Sequence, residues 1–133
     1  MKKSVSGILL LTFALLLSAG CGKKNIALTE EAYNYGKEAI QICNDFLQDD
    51  LTAVEADSKM LALKDKAGKL DGIEYPVDGI VRQSIEGMET DLQMAQSKDT
   101  DSNITKAGLE YIRDNLDKQI SYYINHNDKT GLL

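Results

Sequence analysis

Histidine and cysteine are scarce in this chain of 133 residues: the only histidine is His126, and the only cysteines are Cys21 and Cys43. A tetrahedral zinc site takes four ligands, chiefly cysteine and histidine. The chain therefore cannot supply such a site without an unusual set of carboxylates. His126 follows the last predicted helix, where the helix dipole favours a protonated imidazole, and we expect a solvated helix end there.

Sequence motifs for catalysis are also lacking. The chain has no glycine-rich phosphate loop and no serine nucleophile elbow. Two acid pairs occur at helical spacing, Glu86 with Glu89 and Asp114 with Asp117, and we interpret both as solvated helix faces. Cys43 lies on an apolar stripe, where a thiol usually serves as inert packing. We therefore predict no enzymatic activity, no catalytic residue, no metal site and no cofactor.

The one long apolar run, residues 8–17, contains a single polar residue, Thr12. The run is too short for a transmembrane helix, which takes about 20 residues. Two lysines lie within residues 1–3 before it, and three small residues, 18–20, follow it. A basic start, a short apolar run and a small-residue end are the three parts of a secretory signal, so we predict that residues 1–20 are a signal peptide.

The segment Leu17-Ser18-Ala19-Gly20-Cys21 resembles the lipobox of bacterial lipoproteins. In that family the cysteine thiol is joined to a diacylglyceryl group, and cleavage leaves the cysteine as the new N-terminus. The usual pattern has leucine three residues before the cysteine, whereas this chain has Ser18 there and Leu17 one position earlier. The alternative interpretation is an ordinary signal peptide with a cysteine near the cleavage site by chance.

The resemblance covers residues 1–21 and implies attachment to the lipid bilayer through diacylglycerol on Cys21, at the extracytoplasmic face of the cell membrane. The excess of lysine over arginine, together with Gly22 after the cysteine, favours a Gram-positive host. Acylation of Cys21 would leave Cys43 as the only free thiol, so no intramolecular disulfide is expected. Residues 21–28 are then the lipidated N-terminus and tether, 29–126 the folded domain, and 127–133 a frayed tail.

Acidic residues outnumber basic ones, 21 against 15, for a formal charge of −6. Removal of the first 20 residues, which hold two lysines and no acid, brings the charge to −8. Such a surface repels phosphodiester backbones. We therefore expect no nucleic-acid partner.

Apolar residues spaced by three and four predict four helices. The first follows a cap at Thr29 and ends near residue 48, and the second follows a capping box formed by Thr52 and Glu55. The third starts near Asp78, and the fourth ends near residue 125. The predicted buried stripes include Ala39, Ile42, Cys43, Phe46, Met60, Leu63, Ile85, Met88, Leu92, Leu109, Leu116 and Ile120. No strand-type alternation occurs, so we predict an all-α fold, a small antiparallel bundle of four helices arranged as two helical hairpins.

One segment resembles the spacing of an EF-hand calcium loop. Oxygen-bearing side chains stand at its positions one, three, five and twelve, namely Asp99, Asp101, Asn103 and Glu110. Position six of such a loop is glycine because the backbone turns sharply there, but this chain has Ile104, for which a positive φ is unfavourable. Asp, Ser and Asn residues are also what a helix cap requires, so we predict a cap rather than a calcium site.

Tyrosine is enriched at protein interfaces because it combines area with a polar tip. The candidates for an exposed contact patch are Tyr33, Tyr75, Tyr111 and Tyr122. Our favoured hypothesis is a membrane-anchored, non-enzymatic module that binds an envelope or extracellular protein. The alternatives are a carrier of a small apolar ligand in the bundle core and a surface lipoprotein of the mobile-element or phage-exclusion type. An exposed apolar patch favours protein binding, whereas an internal cavity favours ligand capture.

Overall fold

The computed structural model describes residues 28–126. These residues contain four α-helices joined by short loops. They are α1 (Glu30–Leu47), α2 (Ala53–Ala67), α3 (Pro76–Ala95) and α4 (Ser102–His126). The predicted all-α fold is confirmed. Several predicted segments lie outside the described residues, namely the predicted signal peptide, Cys21, the predicted tether up to residue 27 and the predicted frayed tail. The side chain of His126 also lies outside them.

The predicted start signals of the first two helices are confirmed. The Thr29 hydroxyl accepts a hydrogen bond from the Ala32 amide at the start of α1. At the start of α2, the Glu55 amide donates to the Thr52 hydroxyl while the Thr52 amide donates to the Glu55 carboxylate. These two bonds satisfy backbone N–H groups that have no partner within the helix. The hydrogen bonds that the Thr52 amide and hydroxyl donate to the Glu55 carboxylate hold the pKa of Glu55 below its usual range.

The third helix starts at Pro76, two residues earlier than the predicted start near Asp78. A proline at the first helical position loses nothing by lacking an N–H, since that group would have no helical partner, and its φ is already helical. From the sequence, Pro76 was interpreted only as a boundary between helices. Its position at the first turn of α3 explains the difference.

Antiparallel neighbours pack around one core. Between α1 and α4, Lys37 pairs with Asp117 and Asp49 pairs with Lys106, so residue numbers rise on one helix as they fall on the other. Residue numbers also run in opposite directions in the contacts between α2 and α3 and in those between α3 and α4. Helix α1 also packs diagonally against α3, whereas α2 and α4 do not approach each other within residues 28–126. The two predicted hairpins are therefore α1 with α2 and α3 with α4.

The predicted apolar stripes form the core. Its fully buried side chains come from all four helices and from Leu28, two residues before the start of α1. They include Leu28, Ala39, Cys43, Met60, Leu63, Val81, Ile85, Met88, Leu92, Leu109, Leu116 and Ile120. Partly buried side chains, among them Tyr35, Leu47, Ile112 and Tyr123, pack against this core.

A glycine inside α3 marks a close backbone approach. Gly79 costs helix stability of roughly 1 kcal/mol relative to alanine. A Cβ atom on Gly72, in the loop before α3, would lie 2.8 Å from the Gly79 Cα atom. Gly72 and Gly79 therefore let the 68–75 loop pack directly on the first turns of α3.

Two buried carboxylates were not predicted. Asp78 accepts hydrogen bonds from the Thr29 amide and hydroxyl, and so ties the start of α1 to the start of α3. Glu89 is also buried, so its interpretation as part of a solvated face is wrong. Its Oε2 atom lies 3.0 Å from the Lys64 ammonium, and the hydrogen bond with this negative charge raises the pKa of Lys64.

Candidate interaction surface

The side chain of Tyr111 is the most exposed aromatic group in residues 28–126, at 71% exposure, and it borders a groove between α3 and α4. This α3–α4 groove has a volume of about 260 Å³ and is open to solvent. Its lining residues are Ile80, Gln83, Ser84, Tyr111, Ile112 and Asn115. None of them carries a charge, although the chain as a whole is acidic. The groove is therefore a neutral, mainly apolar site on a charged surface.

The spacing of residues along α4 extends this surface. Ile104, Tyr111 and Tyr122 are separated by 7 and 11 residues, about two and three turns, so they lie on one face of the helix. All three are exposed. We call these three residues the α4 outer face. The ring of Tyr122 packs edge-on against that of Tyr123, with 5.3 Å between ring centres.

Small residues bring α3 and α4 together beside the groove. A Cβ atom on Gly87 would lie 3.2 Å from the Ile112 Cδ1 atom, and one on Gly108 would lie 2.8 Å from a carboxylate oxygen of Asp91. Partial burial against α4 raises the pKa of Asp91 above its usual value. Helices α3 and α4 are therefore in close contact at Gly87 and Gly108, and Tyr111 lies outside this contact.

The four predicted tyrosines do not form one patch. Tyr111 and Tyr122 share the α4 outer face, whereas Tyr33 is half-buried and packs against the core from α1. Tyr75 is half-buried and borders a separate depression near the starts of α1 and α3. Their function in partner binding stays a prediction. Ile104 was not predicted as a contact residue, although its seven-residue spacing from Tyr111 on a predicted helix placed both on one face.

Within residues 28–126, no helix is long and apolar enough to cross a membrane. In the same part of the chain, no three or more His, Cys, Asp or Glu side chains are grouped so that they could hold a metal ion.

No protein-family model, curated protein or solved structure matches this chain. No fold relative therefore suggests a site.

The segment that resembles a calcium loop forms the start of a helix. Residues from Ser102 onward are helical, and the Asp101 carboxylate accepts a hydrogen bond from the Asn103 amide at 2.9 Å. The predicted cap is confirmed. Glu110 lies nine residues beyond Asp101, about 13 Å farther along the helix axis, so the helix separates the acids that a calcium loop would bring together.

Cys43 is fully buried on α1, and desolvation raises the pKa of its thiol to about 12, with only partial opposition from the positive charge of Arg113. The thiolate is the reactive form of cysteine. We therefore expect iodoacetamide at pH 8 to leave Cys43 unmodified in the folded protein and to modify it fully in guanidinium chloride, as measured by peptide mass. Rapid modification without denaturant would contradict the buried position of this side chain.

Proposed function

We propose that this chain is a lipid-anchored, non-enzymatic lipoprotein of the bacterial cell envelope that binds another envelope or extracellular protein through the α3–α4 groove. Cys21 carries the anchor, and Tyr111 is the central contact residue. The observation that carries the proposal is the exposure of Tyr111 beside an uncharged apolar groove. Tyrosine residues at the centre of an interface often contribute much of its binding energy.

The groove is suited to a protein side chain more than to a free small molecule. Small-molecule sites are clefts or cavities of about 300–1,000 Å³ that enclose most of the ligand surface. The α3–α4 groove is smaller, at about 260 Å³, and open. An apolar side chain from a partner could enter it while the backbone of the partner lies along the α4 outer face. The depression beside Tyr75 is larger, at about 380 Å³, but it is also open to solvent and does not enclose a ligand.

The absence of charge in the groove also predicts the chemistry of the partner. Interface centres are depleted of charged residues and enriched in aromatic and apolar ones. Lys118 lies seven residues after Tyr111, about two turns along the same face of α4, and belongs to the rim. We therefore expect an apolar contact surrounded by polar residues, with affinity that changes little with salt concentration.

Photo-cross-linking in cells tests the proposal. A benzophenone amino acid replaces Tyr111 in the full chain, and a matched variant carries it at Leu61, an exposed apolar position of α2. Helix α2 does not approach α4, so Leu61 reports on a different face of the same anchored protein. We expect one dominant protein adduct from position 111, identified by mass spectrometry, and none of it from position 61. No adduct at 111, or the same adducts from both positions, would contradict the proposal.

A further inference from the structure

The α3–α4 face of the bundle has a protruding half and a hollow half. Toward the start of α4, Ile104 and Tyr111 project into solvent, with 68% and 71% of their surface exposed. Toward the end of α4 the surface is hollow, because Asn115 lines the α3–α4 groove and a second open depression follows it. This second depression has a volume of about 360 Å³ and is lined by Lys118, Gln119, Tyr122 and Tyr123. The two halves therefore have complementary shapes.

Complementary halves of one face can pair across a two-fold axis. An axis perpendicular to α4 places this helix antiparallel to α4 of a second copy, so the protruding half of each copy meets the hollow half of the other. A crossing angle near 20° keeps two such helices in contact over several turns. Placing Tyr111 opposite Asn115 of the second copy puts the tyrosine ring at the mouth of that copy's groove and fixes the register.

This register also brings the second protrusion to the second depression. Ile104 lies seven residues before Tyr111, and Tyr122 lies seven residues after Asn115. Because antiparallel helices run in opposite directions, Ile104 is then opposite Tyr122 of the second copy, at the edge of the second depression. Only Tyr111 was used to fix the register, so the position of Ile104 is an independent match.

The same register pairs two charges that have no ion-pair partner within residues 28–126. Lys118 lies three residues after Asn115, so it is opposite Gly108, three residues before Tyr111. The Asp91 carboxylate lies beside Gly108, since a Cβ atom there would be 2.8 Å from a carboxylate oxygen. In this part of the chain, neither Lys118 nor Asp91 forms a salt bridge. Desolvation raises the pKa of Asp91, and an ammonium from a second copy would oppose that effect.

We propose that the protein bound at the α3–α4 groove is a second copy of this chain, an inference that rests on the proposed function of that groove. Tyr111 of each copy contacts the groove of the other, and two ion pairs between Lys118 and Asp91 at the rim fix the register. Charge limits where two copies can meet, because each has a formal charge of −6 and acidic surfaces repel each other. The uncharged groove avoids this repulsion.

The proposed dimer is compatible with two lipid anchors in one bilayer. Its two-fold axis is perpendicular to α4, so an axis along the membrane normal sets the helices of both copies parallel to the membrane. The starts of the two α1 helices then lie at opposite ends of the dimer, at the same height above the bilayer. Leu28 is seven residues from Cys21, which at about 3.3–3.6 Å per residue allows each tether to span up to about 25 Å.

Cysteine cross-linking on intact cells tests the dimer and its register. Two full-length copies with different epitope tags are co-expressed, one with Ile104→Cys and the other with Tyr122→Cys, and are treated with a short bifunctional maleimide. We expect a mixed-tag band at twice the monomer mass. The matched control carries Ile104→Cys in both copies, where the two cysteines would be 18 residues apart along α4, about 27 Å, and should give several-fold less of this band. Both positions are exposed, and Cys43 is buried and does not compete for the reagent.

A charge reversal tests the ion pair in the same assay. Lys118→Glu, added to both copies of the Ile104→Cys and Tyr122→Cys pair, places a negative charge against Asp91 and should lower the yield of the band several-fold. Lys59→Glu makes the same change of charge at an exposed position of α2 and should leave the yield unchanged. Equal yields from the two charge variants would overturn the register.

The remaining outcomes separate the dimer from the proposed function. Equal bands from the test pair and from its control, or no band from either, would overturn the dimer. The photo-cross-link at Tyr111 then decides what else fails. An adduct there with a different protein would leave the groove as a protein-binding site, whereas the absence of any adduct would overturn the proposed function as well.

Discussion

Replacing Cys21 by alanine is expected to abolish the processed, membrane-bound form of the protein. The resemblance to a lipobox implies that both the diacylglyceryl attachment and the cleavage occur at this residue. The variant should be found either released from the membrane fraction or as a larger, unprocessed precursor. Fractionation followed by immunoblotting measures both its location and its size.

The other cysteine provides the matched control for this experiment. Cys43→Ala removes a buried sulfur from α1 and leaves the lipobox unchanged, so that variant should remain processed and membrane-bound. Processed Cys21→Ala protein in the membrane fraction at the wild-type level would contradict lipid attachment at Cys21.

Replacing Leu109 by alanine should destabilise the bundle by about 2–5 kcal/mol, since deletion of a buried leucine side chain loses its transfer free energy and leaves a cavity. Leu109 is fully buried on α4, facing the core. For a domain of about 100 residues, each kcal/mol corresponds to a fall in Tm of about 4–8 °C. Urea denaturation followed by circular dichroism measures the change in the free energy of unfolding.

Ile104→Ala is the control for that substitution, because it removes a side chain of the same size from the same helix. Ile104 is 68% exposed in the first turn of α4, so its loss should change the free energy of unfolding by no more than about 0.5 kcal/mol. Equal destabilisation by the two variants would show that α4 packs through a different face.

The helices could be predicted from the sequence because their signals are local. The hydroxyl of Thr29 and the reciprocal bonds of Thr52 with Glu55 satisfy amides within three residues of themselves. The apolar spacing of Leu109, Leu116 and their neighbours identifies a buried face for the same reason. Each of these features depends on a few residues that are close in the chain.

The buried carboxylates could not be predicted, because their environment comes from distant residues. Glu89 has the spacing of an ordinary surface acid, and only the position of Lys64 on α2, 25 residues earlier, explains its burial. The burial of Asp78 could not be predicted for the same reason, since its partner Thr29 is 49 residues away.

The candidate site was only partly predictable, for the same reason. The sequence identified Tyr111 as a contact candidate, but the groove beside it depends on how α3 packs against α4. That alignment brings Ile80 next to Tyr111. Tyr33 and Tyr75 were equally strong candidates by sequence, and only the packing of α1 and of the 68–75 loop separates them from Tyr111.

The mass of the N-terminal tryptic peptide from membrane-extracted protein tests the lipid anchor, the central claim, most directly. Trypsin cleaves after lysine, so the lipoprotein should yield a peptide from Cys21 to Lys23 that carries a diacylglyceryl group on the cysteine. A peptide from Ser4 to Lys23 with an unmodified Cys21, or a processed N-terminus that leaves Cys21 without lipid, would contradict the account.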